Sequence, residues 1–202
     1  AASDVYKRQN HNEEILPLIG SKEGIMHISL AFLDAGDEVL IPNPGYPTYT
    51  SVSKIVGAKP KYYELSESNS WLPNLEKLKK VDLSKVKIMW VNYPNMPTGS
   101  NCSLSFFNDL ISFCEEKNIL LINDNPYSFI LNENPVSLLM AKKSKNCLEL
   151  NSLSKSHNMA GWRLGMVVGS KENIDNILKI KSNMDSGMFL TIQLGAVDAC
   201  LL

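Results

Sequence analysis

Short, almost wholly apolar runs recur along this chain, and stretches with apolar residues at helical spacing separate them. The runs are Glu38-Val39-Leu40-Ile41, residues 60–65, Ile88-Met89-Trp90-Val91, Ile119-Leu120-Leu121-Ile122, Cys147-Leu148-Glu149-Leu150 and Met166-Val167-Val168. Between them, Ile25, Ile28 and Phe32 lie on one helical stripe, with Leu33 beside it and Gly36 to stop it. Residues 46–56 read as a second helix ended by Gly57. Leu104, Phe107, Leu110, Ile111 and Cys114 mark a third, and Ile174, Ile177, Leu178 and Lys181 a late one. A strand apolar at every position must be covered on both faces, and strands alternating with helices favour parallel pairing. The pattern therefore predicts an α/β protein, a three-layer α/β/α arrangement around a mostly parallel sheet. In such sheets ligands bind outside the carboxyl ends of the strands. Asn92, Asp124 and the segment from Ser152 to Lys155 each follow a predicted strand directly.

Composition narrows the partners. A net charge of -1, from 20 basic and 21 acidic residues, gives no electrostatic reason to expect nucleic acid or an anionic membrane. No window approaches the apolar length of a membrane span, and the first residues lack the apolar run of a secretory signal, so a cytoplasmic protein is expected. At 202 residues and 44% apolar, the chain suits one sizeable core or a large piece of a bigger one. Cys102, Cys114, Cys147 and Cys200 form no Cys-x-x-Cys pair and have no nearby histidine, which argues against a metal site. Cys114, Cys147 and Cys200 adjoin Phe113, Leu148 and Leu201 and read as small buried hydrophobes of a reducing compartment.

Three segments carry candidate chemistry. Gly20-Ser21-Lys22-Glu23-Gly24 opens the first helix after the apolar run Ile15-Leu16-Pro17-Leu18-Ile19. Free backbone N–H groups and the dipole make such a helix start an anion site, with Ser21 as N-cap and phosphate donor, although most serine caps only cap. Asp124-Asn125-Pro126-Tyr127 follows a buried strand. Its carboxylate reads either as a turn cap or as an anion held against a protonated ring nitrogen. The third segment runs from Ser152 to Gly165, dense in hydroxyls, with Lys155 and, eight residues on, Arg163. A lysine amine attacks carbonyls once deprotonated, and partial burial beside cations promotes that. Arg163 and Ser152 suit a phosphate.

These motifs identify a resemblance. Ser152-Leu153-Ser154-Lys155 followed by Gly161-Trp162-Arg163-Leu164-Gly165 resembles the Ser-x-Ser-Lys…Gly-x-Arg-x-Gly signature of the class I/II aminotransferases, which are fold-type I pyridoxal-phosphate enzymes. Pro42-Asn43-Pro44-Gly45-Tyr46-Pro47-Thr48-Tyr49 and the segment from Asn92 to Gly99 are similar to two further family motifs in the right order, and the likeness runs from Ile15 to about Val197. The resemblance implies that Lys155 carries pyridoxal 5'-phosphate as a Schiff base and shuttles the proton. It implies that Asp124 pairs with the pyridine N–H, that Tyr127 bonds the ring hydroxyl and that Tyr46 stacks on the ring. Ser21, the Lys22 backbone, Ser152, Ser154 and Arg163 would hold the phosphate. His157 and Trp162 are read as structural members of the loop, and Trp71 and Trp90 as packing.

The sequence departs from the family at Met96, where an asparagine amide usually reaches the ring hydroxyl. A thioether cannot donate a hydrogen bond. Either Asn95 or Asn92 supplies the contact, or Tyr127 is the sole donor and the Schiff base holds its proton more tightly. Members of the family are about twice as long. The chain is expected to be a truncated large domain spanning residues 1–202, without the N-terminal segment and the C-terminal small domain, and inactive alone. The first nine residues fit the family poorly. The expected reaction moves an amino group between an α-amino acid and a 2-oxo acid in a homodimeric full-length enzyme, near the aspartate and LL-diaminopimelate branches. A β-eliminating carbon–sulfur lyase and a non-catalytic ligand-sensing domain are the alternatives.

Overall fold

Each predicted apolar run becomes a strand. The structure, a computed structural model, describes residues 9–201. Seven strands form one sheet: β1 (Ile15–Leu18), β2 (Glu38–Asn43), β3 (Lys59–Glu64), β4 (Val86–Val91), β5 (Leu120–Asp124), β6 (Cys147–Ser152) and β7 (Gly165–Gly169). Their order is β1-β7-β6-β5-β4-β2-β3. From β6 through β3 every pairing is parallel, whereas β7 runs antiparallel to both β6 and β1. The helices are α1 (Ser21–Phe32), α2 (Pro47–Ile55), α3 (Leu75–Leu78), α4 (Leu104–Lys117), α5 (Leu153–Ser156), α6 (Lys171–Lys181) and α7 (Leu190–Leu201).

Alternation along β4 explains the two layers. Met89 and Val91 face a core filled by Phe107, Leu110, Ile111 and Cys114 of α4. Ile88 and Trp90 face the opposite core, with Ile25 and Ile28 of α1, Tyr49 and Val52 of α2, and Ile174 and Ile177 of α6. Burying each such side chain contributes about 1.5–3 kcal/mol, so neither layer is dispensable. Helix α4 is bounded as its sequence suggests. Ser103 Oγ accepts from Phe106 N at 3.2 Å, and Asn118 leaves the helix in the left-handed region at φ 54°.

Several expectations are corrected. Residues 15–18, read only as an apolar run, are the edge strand beside β7, in register from Ile15↔Val168 to Leu18↔Gly165. The N-cap of α1 is Gly20, with φ 79° and no side-chain cap, and Ser21 is the first helical residue. A glycine is needed there because the turn from β1 requires a left-handed backbone. Helix α7 had no predicted counterpart. Cys102, Cys114 and Cys147 are buried but Cys200 is exposed. Of the nine leading residues singled out by sequence, 1–8 lie outside the described residues. Among the described residues no helix is long and apolar enough to cross a membrane.

Candidate active site

The parallel strands end at a common edge, and Asp124 is the last residue of β5. It is buried. Its Oδ2 accepts from the Tyr49 hydroxyl at 2.8 Å, while its Oδ1 is buried without a hydrogen-bond partner. Burial pushes the carboxyl up to about 6, opposed by the Tyr49 hydrogen bond and reinforced by the charge of Glu149. Tyr49 itself is fixed by stacking on Trp90, with ring centroids 4.9 Å apart and planes 8° apart, and by an edge contact with Tyr46 at 5.6 Å. Sequence reading did not single out Tyr49. Its signal was its place three residues after Tyr46, one turn along the same helix start.

Tyr46 and Tyr127 complete this cluster. Burial, then the Asp124 charge and Tyr46, push the Tyr127 phenol above its usual range. Lys22 Nζ lies 5.6 Å above the Tyr46 ring, which ties the start of α1 to the start of α2. Asn92 has both ends of its amide engaged: Nδ2 donates to the Asp124 carbonyl at 2.6 Å, and Oδ1 accepts from Met96 N at 2.7 Å. It shapes the loop from within. Asn95 differs, because its Oδ1 accepts from Thr98 Oγ1 at 2.8 Å but its buried Nδ2 has no partner. Asn95, Met96 and Tyr127 line one open groove of about 450 Å³ with Ile130, Leu131 and Asn132.

A second cluster forms where β1, β7 and β6 lie side by side. Gly165 is in register with Leu18 on one side and Ser152 on the other. A Cβ at Gly165 would stand 2.8 Å from both Ser21 N and the Asn151 carbonyl, so only glycine lets α1 start this close to the sheet. A Cβ at Gly20 would strike the guanidinium of Arg163. Arg163 is exposed, in the left-handed region at φ 57°, and its Nη1 donates to the Ala160 carbonyl at 2.8 Å. Ser152 Oγ donates to the Leu164 carbonyl at 3.1 Å, lies 2.9 Å from Ser154 Oγ, whose hydroxyl can donate to it, and accepts from Ser154 N at 3.2 Å. Free amides at a helix start, an arginine beside them and two hydroxyls form an anion cradle.

Lys155 lies in α5, three residues past the end of β6, and is exposed. The burial expected for it is not provided by the described residues. His157 Nδ1 pairs with Ser156 Oγ at 2.9 Å, a local contact within the loop. Trp162 is 51% exposed and lies against Gly195 of α7. Below the cradle, Glu23 braces α1. Its Oε2 accepts from Ile19 N at 2.5 Å, and its Oε1 meets His27 Nε2 at 2.9 Å and Lys181 Nζ at 3.0 Å. Lys181 also pairs with Asp185 at 2.6 Å. Glu23, His27 and Asp185 bring three possible metal-ligand atoms together, but the Lys181 ammonium already supplies their cation.

Comparison with known proteins gives one consistent result. The family model "Aminotransferase class I and II" matches residues 2–197, starting earlier than the Ile15 that the motifs mark. An LL-diaminopimelate aminotransferase of Dehalococcoides mccartyi is 48% identical over 94% of this chain and 50% of its own length. One from Aquifex aeolicus is 42% identical over 96% of this chain and 52% of its own length. The chain thus spans about half the length of the curated relatives it matches. Among solved structures, an aspartate aminotransferase of Thermotoga maritima superposes with TM-score 0.91 at 27% identity, over 100% of this chain and 54% of its own. A probable N-succinyldiaminopimelate aminotransferase of Thermus thermophilus gives 0.88 at 30%, over 98% and 55%.

Proposed function

This chain belongs to the aminotransferase class I and II family, and from that premise we propose that it is the cofactor-holding part of an enzyme that moves an amino group from an α-amino acid to a 2-oxo acid. The cofactor of that family is pyridoxal phosphate, which supplies an aldehyde for an amine and a protonated ring that draws electrons from the substrate's α carbon. The observation that carries the reading is Asp124 Oδ1, a buried carboxylate oxygen with no partner. A pyridine N–H is a donor that would satisfy it, and a ring held there would stay protonated.

The remaining roles are assigned around that contact. The Ser21 and Lys22 amides, Ser152, Ser154 and Arg163 would hold the phosphate. The Tyr46 ring would cover one face of the pyridine, and the Tyr127 phenol and Asn95 Nδ2 would reach the ring hydroxyl. Lys155 would hold the aldehyde until the substrate amine displaces it, and the Nζ amine so released would take the proton from the substrate's α carbon. The names of the relatives suggest LL-diaminopimelate as amino donor, and 2-oxoglutarate or pyruvate is the acceptor we propose. A cytoplasmic homodimer of the full-length protein is the proposed setting.

Full-length protein mixed with pyridoxal phosphate should develop an absorbance band that borohydride bleaches, and peptide mapping should find the label on Lys155. Label on another lysine, or none, overturns the assignment. Oxo-acid-dependent consumption of LL-diaminopimelate tests the substrate, and release of ammonia without an acceptor would indicate elimination instead.

A further inference from the structure

Behind Asp124 lies a second buried carboxylate that no step above uses. Glu149, in the middle of β6, is 0% exposed and in register with Asn123 of β5. Alternation places it on the α4 side of the sheet with Cys147 and Leu121, whereas Asp124 shares the opposite side with Ile122. Glu149 Oε2 accepts from Leu138 N at 2.8 Å and Asn123 Nδ2 at 3.0 Å. Its Oε1 accepts from Ser137 Oγ at 2.7 Å and Asn125 Nδ2 at 3.2 Å. All four of these partners are donors, the arrangement an ionised carboxylate requires.

The two asparagines flank Asp124, and each reaches onward to a loop of the site. Asn123 Oδ1 accepts from Tyr93 N at 3.0 Å, where the loop carrying Asn95 and Met96 begins. Asn125 Oδ1 accepts from Ser128 N at 3.3 Å, beside Tyr127. Ser137 and Leu138 close the far end of the Tyr127 loop onto the same carboxylate. An isolated buried charge is costly, and a sheet interior can be packed without one. Here the charge sits where three segments of the site meet.

We propose that Glu149 is a positioning residue for the cofactor site, fixing the strand end that presents Asp124, tying down the loops on either side of it, and acting on Asp124 through the sheet by its charge. The titratable groups around the pair are Tyr49 and Tyr46 at the start of α2, Tyr127 after β5 and Cys147 on β6. Tyr49 and Glu149 push Asp124 in opposite directions, the hydrogen bond lowering its proton affinity and the negative charge raising it. The two act from opposite faces of the sheet, and Oδ1 remains for the ligand. Only the cofactor consequence rests on the pyridoxal-phosphate reading.

The test uses the full-length protein and Glu149→Gln, which keeps shape and removes charge; the Ser137 hydroxyl can turn to accept from the new amide, while the bond from Asn125 Nδ2 is lost. The Asp124 carboxyl is titrated by 13C NMR without cofactor, and pyridoxal-phosphate affinity is measured by fluorescence. In the variant the Asp124 midpoint should fall by about half a pH unit or more, and affinity should weaken about three- to tenfold. A merely structural role would weaken affinity and leave the midpoint in place, so an unmoved midpoint overturns the proposal. If the variant does not fold, Ser137→Ala decides: loosening one bond to an intact charge should cost about threefold in affinity, and unchanged affinity overturns it. A wild type that shows the Asp124 titration but binds no pyridoxal phosphate would refute the functional reading and leave the effect of Glu149 on Asp124 measurable.

Discussion

Asp124 is the residue on which stability and function pull apart. Its carboxyl is held at about 6 against 3.8 for an ordinary aspartate, chiefly by burial. A folded-state value above the unfolded one contributes stability that is fully present below pH 3.8 and lost as pH rises through about 6. Without cofactor, the wild type should therefore lose about 2 kcal/mol from this group between pH 4 and 7. Asp124→Asn should lack that loss, and urea titrations of both proteins across the range would show it. Equal pH slopes would mean that Asp124 is better solvated than its burial indicates. Gly165 is the other residue with a sharp expectation. A methyl there meets backbone on two sides, 2.8 Å from Ser21 N and from the Asn151 carbonyl, and neither can turn away. Gly165→Ala should destabilise by about 1–3 kcal/mol and weaken phosphate binding together, whereas a mutation of Arg163 should weaken binding alone.

Among the elements, the central strands and α4 were legible because their patterns admit one solution. A run like Ile88-Met89-Trp90-Val91 must be covered on both sides, and Phe107, Leu110, Ile111 and Cys114 supply one of the covers. Phe107→Ala should accordingly cost about 3–5 kcal/mol, read as a lower denaturant midpoint at unchanged slope. Lys155 and Arg163 stood out as candidates through the family signature, and Asp124 through its place after a buried strand. What stayed hidden depended on pairings distant in sequence. β1 is four residues long and includes Pro17, so its strand character comes from β7, nearly 150 residues later. Glu149 interrupts an apolar run and gave no hint of its four donors, two of which lie in a loop with no periodicity of its own. Tyr49 read as one more aromatic beside Tyr46; only the fold brings it to Asp124, 75 residues away. β7 was read as a strand, but its antiparallel return, which places Gly165 beside Ser152, left no pattern in the sequence.

The two cores share one sheet, so the anion cradle on one side and the Glu149 network on the other are parts of one cooperative structure. Helix α7 stands apart from both. Leu190, Leu194, Val197 and Leu201 repeat along one stripe of it, between 57% and 79% exposed, and none of its residues enters either core. Its contact with the rest of the molecule includes Gly195 against Trp162, where a Cβ would come within 3.0 Å of the ring. Apolar residues that face outward cannot be recognised from sequence as a helix's outer face, because burial is what periodicity reports. A contiguous stripe of this kind drives self-association in an isolated chain. Replacing Leu194 and Val197 together by lysine should therefore reduce light scattering and dye binding by this 202-residue chain, while its unfolding free energy changes by no more than about 0.5 kcal/mol per site. A loss well beyond that would show that the stripe packs within the chain in solution. Unchanged scattering would place the adhesive surface elsewhere, with Met184 and Phe189 just before the helix, 62% and 68% exposed, the next residues to substitute.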